Sequence, residues 1–442
     1  TSLSISQLLS TESEQFTIPA YQRRYSWQDK QVKELFDDIN HLESGDTHLL
    51  GSIVCLTGDH GAGLNSLELV DGQQRTTTIM LFLDAIEDRL RADGNSEDAQ
   101  TISKMVTSKD YTGTKSKKLV LGDLDNKDFT RVVDGIELDE VINNNLLKAR
   151  KLIGELVGKL TLEEFNQLRY KFINQAYIIR LDVAQAKDAF KLFETINNRG
   201  LSLSPTDIIK NFLLGNASII SAETLESVKA DWTKIVLLLD GIDMDNFFRQ
   251  YMAGLTGQKV TQTRLIDAFK TYYAQNIEEG EALREEYEEF ADVQESDAIN
   301  KQDLRAFAKT LRLAADIYSK IQRASFDDDE INRRLINLKK IRSVASYTFI
   351  LNLMQRNVAN NDVLEVLRMI EIFMLRRNVA EYRTSELEDI FVALTKLPND
   401  GIVSAAKQVF IDNMPSDEEF NIRLQKHVFK GCLLYTSDAA DE

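Results

Sequence analysis

Cysteine, histidine and proline are scarce in the sequence, and each scarcity excludes a class of protein. The 442 residues include two cysteines, four histidines and four prolines. Cys55 and Cys432 are too few and too far apart for a disulfide framework or a CxxC metal site, so the sequence predicts a reducing, cytoplasmic location. The histidines form no HxxxH pair, which argues against the common zinc hydrolases. No apolar run reaches the roughly 18 residues of a membrane span, and the polar first residues predict no secretory signal, so no membrane partner is expected.

The composition is that of a folded, mostly helical protein. Hydrophobic residues make up 43% of the chain and charged residues 28%, while the scarcity of proline and glycine leaves few helix breakers. The formal net charge is −17, which opposes broad electrostatic adhesion to nucleic acid. Any contact with DNA therefore requires a local basic patch.

Two groups of basic residues are candidates for such a patch. They are Arg333, Arg334, Lys339, Lys340 and Arg342, and further along the chain Arg376, Arg377 and Arg383. From the first group we predict that Arg333, Arg334 and Lys340 contact DNA phosphates. The alternative is that both groups are solvated helix faces paired with acidic neighbours such as Glu371 and Glu381, and surface pairs of that kind contribute little to stability.

The order of strand and helix patterns predicts two domains. β-rich runs occupy residues 48–57, 66–70 and 176–183. They alternate with helical patterns up to residue 215, after which only helical periodicity continues. We therefore predict an α+β domain over residues 1–215, followed by a mostly α-helical domain over residues 216–410.

The last part of the sequence departs from this pattern. Residues 411–431 are expected to begin a further domain. Residues 432–442 (CLLYTSDAADE) continue none of the preceding periodicity and resemble a translated sequencing-library adapter. The alternative is a frayed acidic tail.

The first motif, IPAYQRRYSW at residues 18–27, combines arginines with aromatic residues. Ser26 with Asp29 resembles an N-cap pair that opens a helix. An arginine beside aromatic rings can hold a phosphate while a ring stacks on a base, so Arg23 and Arg24 are candidate ligand residues. The alternative is a loop whose aromatic residues only pack on the core.

The second motif, LVDGQQRTTTIM at residues 69–80, predicts a strand, a tight turn and an amphipathic helix. The apolar stripe of that helix consists of Ile79, Leu83, Ile86 and Leu90. Extended backwards, the stripe passes through Arg75 and Asp71. The guanidinium of Arg75 then needs an anionic partner, because an unpaired buried charge costs several kcal/mol.

That partner is either Asp71 or a phosphate. In the first case Asp71 and Gln74 form a capping pair, and the cap blocks the helix amides. In the second case the positive helix end binds the phosphate. We then expect Arg75 and the side-chain amides of Gln73 and Gln74 to hold it, with Asp71 near a divalent cation or an attacking water.

The third motif, FETINNRGLSLSPTDIIKN at residues 193–211, predicts a helix, a stop and a second helix. Asn197 lies where the apolar stripe of the first helix ends, and Gly200 offers a left-handed C-terminal stop. The SPTD sequence that follows is a suitable helix start. Asp207 and Lys210 either face a ligand or pair with each other at i, i+3 spacing.

Together, the three motifs resemble the N-terminal domain of the GmrSD-type modification-dependent restriction endonucleases. The DGQQR hallmark of that family occupies residues 71–75, and its IPxYQRxYxW and FExxNxRGxxLxxxDxxK signatures match residues 18–27 and 193–210. An RRxV element corresponds to Arg376, Arg377 and Val379. The resemblance implies a ParB/sulfiredoxin-like N-terminal fold, a nucleoside triphosphate substrate, Mg²⁺, and phage DNA with modified bases or backbone as partner.

The resemblance also implies roles for individual residues. Arginines neutralise phosphate oxygens, a glutamine of the DGQQR hallmark orients the nucleophile, and Asp71 positions Mg²⁺ or water. The implied catalytic residues are Asp71, Gln73, Gln74 and Arg75, with Asp71 also as the metal ligand. The implied nucleotide-binding residues are Tyr21, Gln22, Arg23, Arg24, Gly72, Thr76, Asn197, Arg199, Gly200, Asp207 and Lys210.

The nuclease chemistry of the family belongs to a C-terminal HNH-like domain. Residues 415–431 resemble only the first helix of such a domain, in which His427 stands alone. We therefore expect this chain to bind and hydrolyse nucleotide without cutting DNA, and we leave a homo-oligomer open. The alternatives are a non-catalytic nucleotide-dependent switch, a DNA-binding regulatory module, and an interaction scaffold in which the motifs only cap and pack.

Overall fold

The computed structural model of the chain covers most of the sequence. The structure describes residues 1–43, 45–61, 63–197, 204–283, 302–356 and 358–426. The chain divides into two compact units. Unit 1 comprises residues 1–203 and 210–237, and unit 2 comprises residues 204–209 and 238–442. Arg199, Gly200, His427 and the tail at residues 432–442 lie outside the described residues.

Unit 1 contains all the strands that the described ranges include. They are β1 (Ser2–Ser4), β2 (Glu14–Thr17), β3 (His48–Gly61), β4 (Leu64–Asp71), β5 (Thr107–Lys109), β6 (Lys115–Lys117), β7 (Leu119–Val120) and β8 (Ala176–Val183). Six of them form one mixed sheet in the order β1-β8-β3-β4-β2-β7, while β5 and β6 form a separate antiparallel hairpin. The three β-rich runs predicted from the sequence are confirmed as parts of β3, β4 and β8.

Strand directions within the sheet bring three loops together. β2 runs parallel to β4 and to β7, with Thr17 opposite both Glu68 and Val120. β3 is antiparallel to β4 and parallel to β8. The segments that leave β2, β4 and β7 therefore emerge at the same edge of the sheet.

Helices form most of the remaining structure, so the predicted predominantly helical character is confirmed. Up to residue 220 they are α1 (Ile5–Leu8), α2 (Asp29–Asn40), α3 (Gln73–Ala92), α4 (Ser96–Met105), α5 (Asn126–Asp134), α6 (Asn144–Gly158), α7 (Leu162–Asn174), α8 (Ala186–Asn197) and α9 (Pro205–Ile220). Further along are α10 (Ala222–Leu238), α11 (Met244–Thr256), α12 (Leu265–Asn276), α13 (Leu304–Arg323), α14 (Asp329–Lys340), α15 (Tyr347–Gln355), α16 (Asn360–Val379), α17 (Leu387–Thr395), α18 (Ile402–Asp412) and α19 (Asp417–Lys426). Short 3₁₀ segments occupy Leu138–Glu140, Gln262–Arg264, Glu278–Leu283, Val344–Ser346 and Thr384–Glu386. The ParB/sulfiredoxin-like fold stays a prediction.

The core of unit 1 is built around helix α3. The predicted stripe of Ile79, Leu83, Ile86 and Leu90 is buried throughout. On the same helix, Phe82 packs against Phe36 of α2 and Phe172 of α7, with ring centroids 6.5 and 5.2 Å apart. Because apolar burial and ring packing hold its interior so firmly, the first turn of α3 is presented at a fixed position.

Unit 2 is helical in all of its described elements. One aromatic cluster joins α11, α12 and α13, where Phe247 packs against Tyr318 at 5.2 Å and Phe269 packs against Phe307 at 5.8 Å. Across the described ranges, no helix combines the length and the apolar character that a bilayer crossing requires.

Candidate functional site

The three loops at the shared sheet edge line a small pocket. One loop (residues 18–28, the arginine loop) follows β2, the DGQQR turn follows β4, and residues 121–125 follow β7. The cavity between them has a volume of about 20 Å³, which is room for about one water molecule. Ligands of α/β proteins commonly bind at the carboxyl ends of parallel strands.

Gln74 fastens the arginine loop to helix α3. Its side-chain oxygen accepts a hydrogen bond from the Ser26 N–H at 2.8 Å, and its amide nitrogen donates to the Arg24 carbonyl at 3.1 Å. Both ends of the Gln74 amide are therefore occupied by the backbone of the loop.

The side-chain oxygen of Gln73, in contrast, has no hydrogen-bond partner among the described residues. The residue is only 9% exposed. It also lines the pocket. A buried polar atom without a partner costs about 1–3 kcal/mol. Gln73 is therefore the glutamine of the motif whose side chain is placed to meet a ligand or a water, a choice that the sequence leaves open.

Helix α3 begins without a side-chain cap. Its N-cap residue is Gly72, with φ 91°, and no side chain accepts a hydrogen bond from the first helical amides. Asp71 is instead the last residue of β4, where it pairs with Val54. The capping pair of Asp71 and Gln74, one of the two alternatives that the sequence leaves open, is therefore not formed. A helix end of this kind leaves its amides to water or to an anion.

Gly72 is required at this turn for a steric reason. A Cβ atom on Gly72 would lie 2.5 Å from Cγ2 of Ile53 on β3. With φ 91°, the residue also has a backbone conformation that side chains disfavour. The tight turn predicted at this position is confirmed.

Arg75 lies on the other side of α3 from the pocket, against strand β3. Neither Arg75 nor Asp71 lines the pocket, so the structure does not bring them together with Gln73 there. Its Nη1 donates to the Ser52 carbonyl at 2.8 Å, and it forms no ion pair with any described carboxylate. Burial lowers the pKa of Arg75, and the charge of Asp71 partly counteracts that effect. A half-buried guanidinium with one neutral acceptor retains most of its donor capacity.

Gly51 makes room for Arg75 and was missed by sequence reasoning. Its φ is 115°, and a Cβ atom there would lie 2.8 Å from Cζ of Arg75. The available signal was a glycine in the middle of a β-rich run, which often marks a close approach of another group.

The two arginines of the arginine loop differ in their partners. Arg24 donates to the Asp125 carboxylate at 2.9 Å and to the Leu124 carbonyl at 2.7 Å. Asp125 also accepts from the Tyr25 N–H at 2.5 Å, and burial raises its pKa. Arg24 is therefore held by a structural carboxylate that no local pattern predicted.

Arg23 is exposed at the surface of the loop. It donates to the Ser26 hydroxyl at 2.8 Å. Helix α2 has Gln28 as its N-cap residue, so the predicted Ser26 and Asp29 N-cap pair is wrong. Ser26 instead forms hydrogen bonds with Arg23 and Gln74.

Tyr21 and Gln22 of the arginine loop contact Lys210 of the third motif. Gln22 donates to the Val70 carbonyl at 3.0 Å and accepts from the Lys210 ammonium. Lys210 is 4% exposed, and its Nζ lies 5.9 Å from the centroid of the Tyr21 ring. The Tyr21 hydroxyl donates to Glu68 at 2.5 Å, and burial together with Glu68 raises the pKa of Tyr21. The first and third motifs therefore contact each other through Lys210.

The remaining predicted residues have local roles or lie outside the description. Thr76 is buried, and its hydroxyl donates to the Gly72 carbonyl at 3.0 Å. Asp207 accepts from the Ser204 hydroxyl at 2.8 Å, and its N–H donates back to that hydroxyl, which confirms the helix start. The side chain of Asn197 and the whole of Arg199 and Gly200 are not among the described residues.

A family comparison agrees with the first part of this arrangement. Residues 5–214 match the model of the GmrSD restriction endonuclease, N-terminal domain. Residues 5–214 are therefore similar to that domain over a little under half of the chain, and we call them the GmrSD domain. The matched range of this GmrSD domain includes the arginine loop, the DGQQR motif and Lys210. No curated protein is significantly similar to the chain.

The similarity to this domain gives residues 5–214 a biochemical setting. A restriction endonuclease is a hydrolase that acts on DNA. DNA is therefore the macromolecular partner that the family implies. The basic groups predicted to contact DNA lie beyond the GmrSD domain, in unit 2.

The residues of the basic group predicted around α14 differ in whether they form ion pairs. Arg334 pairs with Glu371 at 2.8 Å and with Glu330 at 2.9 Å, and Arg333 pairs with Glu330 at 2.5 Å. For Arg334 this is the pairing that the alternative interpretation predicted. Lys339, Lys340 and Arg342 are exposed and form no ion pair with any described residue. They define a cationic cluster at the end of α14.

The space around Gly51 gives a prediction for the GmrSD domain. We expect Gly51→Ala to lower the free energy of unfolding by about 1–3 kcal/mol, because φ 115° strains an alanine. The new methyl group should also displace the Arg75 guanidinium. Urea denaturation measures the first effect.

Gly94→Ala is the matched control for this prediction. Gly94 also has a positive φ, of 77°, but a Cβ atom there meets nothing within 4 Å. The Gly94→Ala variant therefore measures the cost of backbone strain without a steric clash. An equal loss in Gly94→Ala and Gly51→Ala would show that the contact with Arg75 contributes nothing.

Proposed function

We propose that the GmrSD domain of this chain binds a nucleoside triphosphate with Mg²⁺ and hydrolyses it, as the nucleotide-dependent part of a modification-dependent restriction endonuclease. The observation that carries the proposal is Arg75, a half-buried cation without a carboxylate partner among the described residues. It lies in the first turn of a helix whose amides have no side-chain cap. Both features favour an anionic ligand.

Phosphoryl transfer to water needs charge neutralisation and an oriented nucleophile. Arg75 and the first amides of α3 supply positive charge for the phosphate oxygens. Gln73, with its buried and unpartnered oxygen, accepts a hydrogen bond from the attacking water and orients it. Gln74 and Arg24 act as positioning residues, because their hydrogen bonds hold the arginine loop in place.

Asp71 is the proposed Mg²⁺ ligand. No group of three or more His, Cys, Asp or Glu side chains among the described residues could hold a metal ion alone. Mg²⁺ in nucleotide sites commonly uses one or two carboxylates, waters and substrate phosphates. The single carboxylate of Asp71 fits that pattern. The ion would therefore bind together with the nucleotide and neutralise its phosphates.

Two measurements on the full chain test the proposal. A nucleoside triphosphate at about 100 times its dissociation constant should add about 2.7 kcal/mol to the free energy of unfolding, seen as a rise in melting temperature. Phosphate release should accompany it when Mg²⁺ is present. A melting shift without phosphate release would favour the non-catalytic switch, and no shift with any nucleotide would favour the scaffold.

We also propose that the cationic cluster of Lys339, Lys340 and Arg342 contacts DNA phosphates. Because the carboxylates Glu330 and Glu371 neutralise Arg333 and Arg334, we assign the contact to the unpaired end of α14. Lys339→Gln with Lys340→Gln should flatten the salt dependence of DNA binding by about two units of slope, since each lost phosphate contact removes about 0.9. Fluorescence anisotropy with a labelled duplex at several salt concentrations measures this slope.

The double variant Arg333→Gln with Arg334→Gln removes the same charge and is the matched control. Its slope should equal that of the wild-type chain. A flatter slope in this control, with no change in the lysine pair, would return the DNA contact to the residues first predicted from the sequence.

A further inference from the structure

The β5–β6 hairpin is a basic element in an acidic chain. Residues 104–118 contain five lysines and one acidic residue, Asp110, whereas the whole chain has a net charge of −17. None of the three motifs includes this hairpin. Its charge therefore has no explanation in the nucleotide site.

Two lysines of the hairpin directly oppose each other. Lys109 of β5 pairs in register with Lys115 of β6. Both side chains are exposed, and neither forms an ion pair with a described residue. Cross-strand partners lie on the same face with Cβ atoms about 5 Å apart, and like charges in that position destabilise a hairpin. The two lysines therefore destabilise the hairpin by their repulsion, but together they are well suited to bind a polyanion.

The face opposite the lysines is fixed to the main sheet. The Ser108 hydroxyl donates to the Glu14 carbonyl at 2.6 Å, and the Gln15 amide donates to the Ser116 hydroxyl at 3.1 Å. Side chains alternate between the two faces of a strand. Since Ser108 and Ser116 point towards β2, Lys109 and Lys115 point away from it.

Hydrogen bonds to one carboxylate brace the turn of the hairpin, which presents a tyrosine. The Asp110 carboxylate accepts hydrogen bonds from the Thr112 N–H, the Thr112 hydroxyl and the Thr114 N–H, at 2.7 to 2.9 Å. These bonds fix the loop and occupy its only carboxylate. Tyr111, within this turn, is 77% exposed. An exposed aromatic ring on a braced turn offers a face on which a base can stack.

We propose that the β5–β6 hairpin is a DNA-binding element in which Lys109 and Lys115 contact phosphates and Tyr111 stacks on an unpaired base. Two unpaired cations beside an exposed ring on an anchored hairpin match a nucleic acid, which offers a phosphate chain and flat bases together. The proposal rests on the proposed function only in taking DNA as the partner, and it requires no bound nucleotide.

The test uses the full chain and a labelled single-stranded oligonucleotide, without nucleoside triphosphate. Lys109→Gln with Lys115→Gln should flatten the salt dependence of binding by about 1.4 units, because each contact to a single strand contributes about 0.7. The same variant should melt at or above the wild-type temperature, since a like-charge pair is removed. Lys148→Gln with Lys151→Gln on α6 removes equal charge from exposed positions and should leave the slope unchanged.

A second pair of variants tests the ring. Tyr111→Ala should weaken single-strand binding by about five- to a hundredfold, the effect of losing one base stack. Tyr111→Phe should keep the wild-type affinity. An unchanged slope in the lysine pair, equal binding by Tyr111→Ala, or no binding by the wild-type chain would each overturn the proposal. Nucleotide-dependent melting of the same preparations is read separately, so failure of the triphosphate site and failure of the hairpin give different results.

Discussion

Replacing Arg75 by alanine is expected to abolish nucleotide-dependent stabilisation while the chain stays folded. The described structure gives the guanidinium one hydrogen bond, to the Ser52 carbonyl at 2.8 Å, and no ion pair. Removing it therefore costs little within the fold and removes the main positive charge offered to a phosphate. At about 100 times the wild-type dissociation constant, the gain of about 2.7 kcal/mol should disappear. Melting with and without nucleotide measures it.

Arg91→Ala is the control for Arg75→Ala. Arg91 is on the same helix, and its guanidinium pairs with Glu87 on the surface. Such an i, i+4 pair contributes only a few tenths of a kcal/mol, so the variant should respond to nucleotide as the wild type does. If Arg75→Ala unfolds the chain while its remaining folded fraction still binds nucleotide normally, Arg75 is a structural residue and the site lies elsewhere.

Asp71→Asn is expected to lower nucleotide hydrolysis at least a hundredfold while nucleotide binding survives. The substitution keeps the size of the side chain and removes the charge proposed to hold Mg²⁺. Because Gly72 rather than Asp71 is the N-cap residue, the start of the helix should be unaffected. A loss of that size is typical of removing one positioned catalytic group. Phosphate release under saturating nucleotide measures it.

Asp93→Asn provides the same chemical change at the far end of α3. Asp93 is exposed and pairs with Arg89 at 2.7 Å, so hydrolysis should be unchanged in this variant. Equal turnover by Asp71→Asn and the wild-type chain would mean that the carboxylate takes no part in the reaction. The metal would then need another ligand.

Local patterns predicted the elements of the site but not its internal contacts. The strand, turn and helix around the DGQQR motif follow from a period-two run, a glycine and an apolar stripe, all of which are short-range features. The absence of the Asp71 and Gln74 capping pair, one of the two alternatives, has a physical cause in the tertiary structure. The amide of Gln74 is used by the backbone at Arg24 and Ser26, about fifty residues earlier in the sequence.

Long-range partners decided which of the predicted residues are held by a structural carboxylate. Arg24 and Arg23 are adjacent and similar in sequence, yet only Arg24 meets Asp125, a hundred residues away. Nothing in the composition near either arginine distinguishes them. In the same way, the space that Gly51 leaves for Arg75 depends on the register of β3 with β4, which sequence patterns do not specify.

The two hydrogen bonds between the Gln74 side chain and the backbone of Arg24 and Ser26 join the arginine loop to the first turn of α3. Neither segment can shift alone without breaking two hydrogen bonds, at about 0.5–1.5 kcal/mol each. The position of the loop that includes Arg23 is therefore tied to the amino end of α3. The side-chain oxygen of the neighbouring Gln73 has no hydrogen-bond partner among the described residues, so this side chain takes no part in that connection. Of two adjacent glutamines, one therefore joins the loop to the helix, while the other offers a polar atom to what enters the pocket.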